Sequence, residues 1–271
     1  MVTDSYTNYY PSSRLFHASV PHIMGTRIDV LLFGDDPSKL KLIWDEILTE
    51  TRRLERMLNR FDTDSAIYGV NRDGVLYPVG MEEELWHILR DCKRYYKLTD
   101  CYFDVTLGHF DEVVFDDRNR TVFLANNADF DLGGYAKGYA LRRIRQILEI
   151  NAISRALVNF GDSAALGIGA HPHGNSWPLS VDNPYNGAPL GIFRLYNSAL
   201  SVSGNMPSHP EHIISPITGA YVTERKITVV VADDPVDAEV LTTAFMATDE
   251  ETAKKIAERF SIKDFQLYHC E

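Results

Sequence analysis

The sequence has no long apolar run, few cysteines and no excess of positive charge. No stretch approaches the ~18 consecutive apolar residues of a membrane-spanning helix, and residues 1–20 show neither the charged and apolar regions of a signal peptide nor a lipid-acceptor cysteine. Cys92, Cys101 and Cys270 are an odd number without metal-ligand spacing, which predicts reduced thiols. From the chain as given, we expect a soluble cytoplasmic protein.

The acidic charge balance narrows the choice of partners. The formal net charge is −11 at pH 7, and a field of that sign repels nucleic acid and anionic membranes. We therefore expect neither as a partner. An anionic small ligand would need a local positive feature, such as a lysine, a helix N-terminus or a metal ion.

The order of the expected elements predicts an α+β fold. A chain of 271 residues with 45% hydrophobic composition can bury a full core. Apolar periodicity and capping signals predict helices over 38–57, 81–99, 234–245 and 249–260, and one beginning near residue 135. Strands are predicted within 28–34, 155–169, 177–184, 190–204 and 226–232, with a hairpin over 113–124. Strands often follow strands directly, which favours antiparallel sheets.

The stretch DLGGYAKGYA, residues 131–140, is the most unusual in the chain. Gly133 and Gly134 allow close backbone approach, the helix start that follows offers unpaired N–H groups, and Lys137 adds a positive charge. It matches neither a Walker loop nor GxGxxG. The residues alone leave two interpretations, a glycine-entered helix start or a site for a phosphate group.

Two further segments carry candidate chemistry. Glu239 and Thr243 are four residues apart on an expected helix, so they share a face and could supply oxygen ligands to Mg²⁺. The alternative is a solvated glutamate beside a threonine that bonds its own helix backbone. His212 stands before two isoleucines and a Pro-x-Thr-Gly turn, where it could act as a general base or be purely structural.

A serine hydrolase is a competing interpretation. Ser163 follows Gly-Asp in the segment NFGDSAALG, but no spacing ties it to His171, His173 or His212, and a triad requires such a pairing. A turn between strands that lines a pocket is the alternative for Ser163. The His-Pro-His run at 171–173 lacks the companion ligands of a metal site.

Taken together and in order, several segments resemble the signature series of the ApbE family, the FAD:protein FMN transferases. They are HIMGTRIDV, YFDVT, DLGGYAKGYA, LVNFGDSAALGIG, SVSG, HIISPITGAYV and ITVVVADDPVDAEVLTTAF, and they span roughly residues 20 to 248. The resemblance implies a T-fold-like α+β domain with a central flavin cleft. It also implies transfer of FMN from FAD to a Thr or Ser hydroxyl of an acceptor protein, with Mg²⁺ and with release of AMP.

The resemblance assigns roles to individual residues. The expected FAD contacts are Met24, Phe61, Tyr102, Phe103, Asp104, Asp131, Lys137, Ser203, Gly204 and Ile214. The expected metal ligands are the Gly134 carbonyl, Glu239 and Thr243, with Asp237 as an alternative to Glu239. His212 falls on the histidine proposed to help deprotonate the acceptor hydroxyl.

The chain also departs from the family pattern. Glu239 stands where the family usually has Asp, Ser215 replaces the acid of HIIDP, and Gly161-Asp162 replaces a glycine pair. These departures suggest a divergent member and leave two alternatives, an FAD pyrophosphatase and a non-catalytic FAD-binding paralogue. We expect an N-terminal arm over 1–19 and a transferase domain over 20–271, the latter as one unit or two closely packed subdomains. Family members are often exported, which contrasts with the cytoplasmic expectation for this chain.

Overall fold

A computed structural model of the chain describes residues 5–161, 163–207 and 213–270. Within these residues the main sheet has eight strands, in the order β1-β2-β3-β7-β8-β11-β12-β13. The strands are β1 (Tyr6–Tyr10), β2 (Leu15–Ile23), β3 (Thr26–Phe33), β4 (Val79–Gly80), β5 (Val113–Asp116), β6 (Thr121–Leu124), β7 (Ala156–Phe160), β8 (Ala164–Ile168), β9 (Trp177–Asp182), β10 (Pro189–Leu195), β11 (Ser198–Gly204), β12 (Lys226–Ala232) and β13 (Ile262–His269). Every neighbouring pair in the main sheet is antiparallel, which confirms the α+β prediction.

The helices begin where the capping signals predicted. They are α1 (Pro37–Leu58), α2 (Ala66–Gly74), α3 (Glu83–Leu98), α4 (Ala136–Ile150), α5 (Pro235–Met246) and α6 (Glu250–Ala257). Asp36 and Asp234 cap α1 and α5 through their carboxylates, each with proline at the start of the helix. The helix α2 and the strands β1, β2, β4 and β13 were not predicted. No helix among the described residues is long and apolar enough to cross a membrane.

Helices cover one face of the main sheet, and a hairpin covers part of the other. The helices α1 and α4 pack on β2, β3, β7 and β8 around Trp44. The helices α5 and α6 bury the β12 end of the same face together with α2, α3 and the small β4-β6-β5 sheet. On the opposite face, the β9–β10 hairpin packs Trp177 and Phe193 against β11 and β12.

The described part of the segment expected as an N-terminal arm, residues 5–19, contributes strands to the main sheet. From Tyr6 onward they supply β1 and β2, and β2 pairs with β3 inside the main sheet. Alternate residues of β2, among them Phe16, Ala18 and Val20, are buried against α1. The polar residues between them face away from the core. The sequence of β2 is therefore polar on average, although one face of the strand belongs to the core.

Candidate functional site

The helix α5 carries two of the predicted ligands from inside the core. Its residues are buried on nearly every side, and Glu239 is only 4% exposed. The Thr243 hydroxyl donates to the Glu239 carbonyl at 3.1 Å, which places the two side chains one turn apart on the same face. The solvated glutamate considered from the sequence is therefore wrong, whereas the backbone bond of the threonine is present.

The start of α4 lies directly against this face of α5. A Cβ atom on Gly134 would stand 2.8 Å from the Thr243 hydroxyl oxygen, and one on Gly138 would stand 2.8 Å from the Glu239 Cβ. Real Cβ atoms do not approach that closely, so both glycines permit a contact that other residues would prevent. The glycine-entered helix start thus brings the Gly134 backbone to the Glu239–Thr243 face.

Lys137 and Glu239 form an ion pair at the centre of the site. The Lys137 Nζ lies 2.7 Å from the Glu239 Oε1, with side chains 21% and 5% exposed. Ser201, at the middle of β11, donates its hydroxyl to the Glu239 Oε2 at 2.8 Å. Both carboxylate oxygens therefore have a partner, which a buried carboxylate requires.

Asp131 organises the loop that leads into α4. Its Oδ1 accepts the Gly133 backbone N–H at 2.9 Å, and its Oδ2 accepts the Arg60 guanidinium at 3.1 Å. Arg60 also pairs with Asp129. The carboxylate is thus neutralised and held at the edge of the site, with Arg60 as a second cation nearby.

The carboxylate of Asp104 stabilises the loop beside the site through hydrogen bonds. One oxygen accepts the backbone N–H and the hydroxyl of Thr106 at 2.7 and 2.6 Å, and the other accepts the Gly108 N–H at 2.9 Å. Phe103 is 2% exposed and packs edge-on against Tyr95. Asp104 therefore lines the site while its carboxylate is already engaged by the loop.

These residues surround a cleft of about 440 Å³. Among the predicted contacts and ligands, its walls include Tyr102, Phe103, Asp104, Asp131, Gly134, Lys137, Ser203, Gly204, Ile214, Glu239 and Thr243. Lys137 is the only lysine or arginine among the described residues that line it. The cleft thus joins most of the predicted site, from segments distant in sequence.

A second cavity of about 390 Å³ adjoins the cleft and shares Asp131, Gly133 and Lys137 with it. The other two predicted flavin contacts, Met24 and Phe61, line this cavity. Met24 forms the tight turn between β2 and β3, with a φ of 50°, and its N–H donates to the Glu55 carboxylate at 2.6 Å. Phe61 is 84% exposed at the rim.

The last two predicted residues are His212 and Asp237. His212, the predicted base, lies outside the described residues. Asp237 points to the other side of α5, where it accepts the Tyr95 hydroxyl at 2.5 Å, and burial raises the pKa of its carboxyl. This orientation removes Asp237 as an alternative to Glu239 in the cleft.

Ser163 lines the cleft, and no described residue there pairs with it as the base of a nucleophile would. Its hydroxyl donates to the Phe160 carbonyl at 3.4 Å, and no histidine appears among the described residues that line the cleft. His171 packs against His173 and Trp177 in the loop before β9. Nothing in this arrangement supports a serine hydrolase.

The oxygen atoms of the site suit a magnesium ion that also contacts a phosphate. No group of three or more His, Cys, Asp or Glu residues could hold a metal within the described parts of the chain. Mg²⁺ typically takes one or two protein carboxylates and completes its shell with water and substrate phosphates. Glu239, the Thr243 hydroxyl and the close-lying Gly134 backbone offer such a partial set.

Sequence reasoning missed Arg60 and Ser201. Arg60 belongs to no recognised motif, and Ser201 is the first residue of SVSG but received no role. Arg60 reaches the site because α1 ends near Asp131, and Ser201 because β11 runs beneath α5. Ser201 lies two residues before the recognised Ser-Gly pair on the same strand. Since residues two apart on a strand face the same side, that spacing was the available signal for Ser201.

Comparison with known proteins gives a consistent set of relatives. The sequence model of the ApbE family matches residues 24–122 and 109–265. An FAD:protein FMN transferase of Klebsiella pneumoniae (strain 342) is 22% identical over 82% of this chain and 79% of that protein. One from Escherichia coli (strain K12) is 22% identical over 90% of this chain and 82% of its own length.

Solved structures share the fold at low sequence identity. The flavin transferase ApbE from Vibrio cholerae superposes with a TM-score of 0.80 at 19% identity, covering 99% of this chain and 98% of that one. The ApbE protein from Thermotoga maritima gives a TM-score of 0.77 at 21% identity, covering 99% and 97%. The agreement extends over practically the whole chain.

Proposed function

The chain belongs to the ApbE family, and on that premise we propose that it transfers FMN from FAD to a threonine or serine hydroxyl of an acceptor protein, with Mg²⁺ and with release of AMP. One observation carries the proposal. Glu239, Thr243 and the Gly134 backbone meet beside Lys137 in a single cleft. Oxygen ligands next to a cation are what a diphosphate with its metal ion requires.

The chemistry is attack of a hydroxyl on one phosphorus of a diphosphate. The acceptor oxygen forms a bond to the phosphorus of the FMN half, the bond from that phosphorus to the bridging oxygen breaks, and AMP leaves with the bridging oxygen. The hydroxyl proton passes to a base, the role that the family resemblance gives to His212. Positioning and neutralisation of charge supply most of the rate in such reactions.

The residues of the cleft have distinct tasks in this proposal. Glu239, Thr243 and the Gly134 carbonyl would hold Mg²⁺, which when bound neutralises the diphosphate and favours departure of AMP. Lys137 adds positive charge on the same side. Ser201 holds the Glu239 carboxylate in place through its 2.8 Å hydrogen bond, and the Asp131–Arg60 pair fixes the loop that presents the Gly134 backbone.

The adjoining cavity would take a ring system of FAD. Met24, Leu58 and the exposed Phe61 give it apolar walls, and Arg60 lies beneath the Phe61 ring at 5.5 Å from its centroid. Flat aromatic ligands bind by stacking on such side chains. Because the two cavities share Lys137 and Asp131, a ligand with a ring and a diphosphate can occupy both.

The decisive experiment follows both products of FAD. The protein is incubated with FAD and Mg²⁺, with and without proteins from its own source cells as acceptors, and AMP, FMN and covalently bound flavin are quantified. A transferase yields AMP in step with bound flavin and only with acceptor present. Glu239→Gln should abolish the product, whereas Glu239→Asp, which restores the usual family residue, should retain it.

The other outcomes separate the alternatives. Equal AMP and FMN without acceptor would establish an FAD pyrophosphatase, in which water replaces the protein hydroxyl. Bound FAD with no product under either condition would identify a non-catalytic flavin-binding protein. Absence of FAD binding at millimolar Mg²⁺ would reject all three.

A further inference from the structure

We propose that Lys137 is an exchangeable internal cation, which neutralises Glu239 in the ligand-free protein and moves to the diphosphate when the substrate and a divalent metal ion enter. Binding of the metal ion and binding of the diphosphate would then depend on each other. The inference rests on the proposed function for the identity of these two ligands. The exchange would keep the metal ion and the diphosphate from binding tightly without each other.

Lys137 occupies the place beside Glu239 that the metal ion would take. Its ammonium nitrogen lies 2.7 Å from the Glu239 Oε1, the group that we assign to the metal ion. A second positive ion at the same carboxylate would meet an ammonium group at contact distance, and like charges repel strongly in a poorly hydrated site. The metal ion therefore binds well only after the lysine has moved away.

The second step is that the carboxylate and the backbone stay in place while the lysine moves. Ser201 anchors the other oxygen of Glu239 at 2.8 Å, and α4 packs closely against α5 at Gly138. The Glu239 side chain is 5% exposed, but that of Lys137 is 21% exposed. Lys137 lines both cavities, so rotation of its long side chain suffices to reach a ligand there.

Charge balance supplies the third step. The Lys137–Glu239 pair is neutral, so a metal dication alone adds two positive charges beside the pair, and a diphosphate dianion alone adds two negative charges. Together the two ligands add no net charge. Uncompensated charge is costly in a buried site. Lys137 is the only lysine or arginine among the described residues that line the cleft. Coupling between two ligands typically changes affinity by about five- to 150-fold.

A stabilising ion pair without a role in binding is the simpler explanation, and it predicts a different result. Buried ion pairs contribute little net stability, but removal of one partner leaves the other charge uncompensated. A lysine that stays on Glu239 repels a metal ion there whether or not a diphosphate is present, so it gives no coupling between the two ligands. An exchangeable lysine competes for Glu239 only until a diphosphate draws it away, so its removal must raise metal affinity in the protein without nucleotide, and in the wild type the metal ion and the diphosphate must strengthen each other's binding.

The test measures Mn²⁺ binding to the purified protein without nucleotide, from the electron paramagnetic resonance signal of free Mn²⁺. We expect weak binding by the wild type, at least tenfold tighter binding by Lys137→Met, and wild-type behaviour in Lys137→Arg, which keeps the charge. Lys41→Met is the matched control, because it removes a lysine from the exposed pair with Asp45. Adding Glu239→Gln to Lys137→Met should abolish the gain. Mn²⁺ binding by Lys137→Met that is no tighter than the wild type overturns the proposal.

A second measurement needs no variant, so it applies even if Lys137→Met does not fold. Quenching of flavin fluorescence reports binding of FAD and of riboflavin, which lacks the diphosphate, in EDTA and in Mg²⁺. We expect Mg²⁺ to tighten FAD binding at least fivefold and to leave riboflavin binding unchanged. Equal FAD affinity under both conditions contradicts the exchange.

The two proposals fail separately. Flavin transfer by the wild type together with unchanged Mn²⁺ affinity in Lys137→Met would reject the exchange alone. Tighter Mn²⁺ binding in Lys137→Met without any FAD binding would reject the flavin function alone, and the lysine would then guard a metal site for another anionic ligand.

Discussion

Gly138 of α4 and Glu239 of α5 are in such close contact that a Cβ on the glycine would lie 2.8 Å from the Cβ of the glutamate. The same atom would lie 2.8 Å from the Pro235 carbonyl oxygen. The contact therefore involves backbone that cannot rotate away. It sets the separation of the two helices that carry Lys137 and Glu239.

Gly138→Ala should destabilise the protein by about 1–3 kcal/mol, because the added methyl group forces the helices apart. Urea unfolding measures the loss. Gly69→Ala is the matched control, since Gly69 is also helical but its Cβ would meet nothing within 4 Å. That variant should be neutral or gain up to ~1 kcal/mol from better helix propensity. Equal stabilities of the two variants would contradict the close contact.

Asp237→Asn should change how stability depends on pH. Burial raises the pKa of the Asp237 carboxyl in the folded protein, so the folded state holds the proton more tightly than the unfolded state. As the pH rises above the ordinary aspartate pKa of about 3.9, Asp237 loses its proton in the unfolded state before it does so in the folded state. The unfolding free energy of the wild type therefore decreases until the pH exceeds the raised pKa. Between pH 4 and pH 7, the unfolding free energy of the wild type should fall relative to the variant.

Urea titrations of both proteins at several pH values provide the measurement. The groups that act on Asp237 are Tyr95, Asp234, Arg94 and Arg142, and all of them remain in the variant. Since Asp237 faces Tyr95 and not the cleft, flavin transfer by Asp237→Asn should keep its Mg²⁺ requirement. Loss of that requirement would show that Asp237 and not Glu239 serves the metal ion.

Phe61→Ala should weaken FAD binding without changing stability. The ring is 84% exposed, so it contributes little to the core, but it lines the cavity assigned to a ring of FAD. Loss of one aromatic contact, worth ~0.5–1.5 kcal/mol, corresponds to an increase in Kd of about two- to 13-fold. Leu76→Ala is the control, since Leu76 is 72% exposed and lies outside both cavities. An unchanged FAD affinity in Phe61→Ala would place the rings elsewhere.

Lys226→Met should destabilise the protein by roughly 1–3 kcal/mol, the cost of leaving buried carbonyls without a donor. Lys226 is 2% exposed and donates to the Phe245 carbonyl at 2.7 Å and to the Thr248 carbonyl at the end of α5. Lys263→Met, which removes an exposed lysine that bonds the Tyr196 carbonyl, should cost much less. Thermal and urea unfolding compare the two variants.

The same lysine gives a pH signature. Burial lowers the pKa of Lys226 in the folded protein, so the unfolded state binds the proton more tightly below the ordinary lysine value of about 10.4. As the pH rises through this window, the wild type should gain stability relative to Lys226→Met. A constant difference between pH 8 and pH 10 would contradict the lowered pKa.

Local sequence signals were sufficient to predict most of the helices and strands and part of the site. Pro37 and Ser38 placed the start of α1, Asp234 and Pro235 placed that of α5, and the glycine pair placed that of α4. The spacing of Glu239 and Thr243 put them on one helix face, as found. Their burial could not be predicted from that spacing, because it depends on the helices and strands that surround α5.

Contacts between distant segments escaped prediction. The hydrogen bond from Ser201 to Glu239 and the ion pair of Arg60 with Asp131 join residues 38 and 71 positions apart. The N-terminal strands were missed although Phe16, Ala18 and Val20 alternate with polar residues, which is the pattern of a half-buried strand.

The helix α5 is enclosed on nearly all sides, and this has a consequence for how the site comes into being. Glu239 and Thr243 reach their positions only when the sheet and the helices have already closed around them. A partly folded chain therefore lacks the cleft, and the ability to bind ligands appears together with the cooperative folding of the chain. Ligands of this site should act as stabilisers of the entire chain.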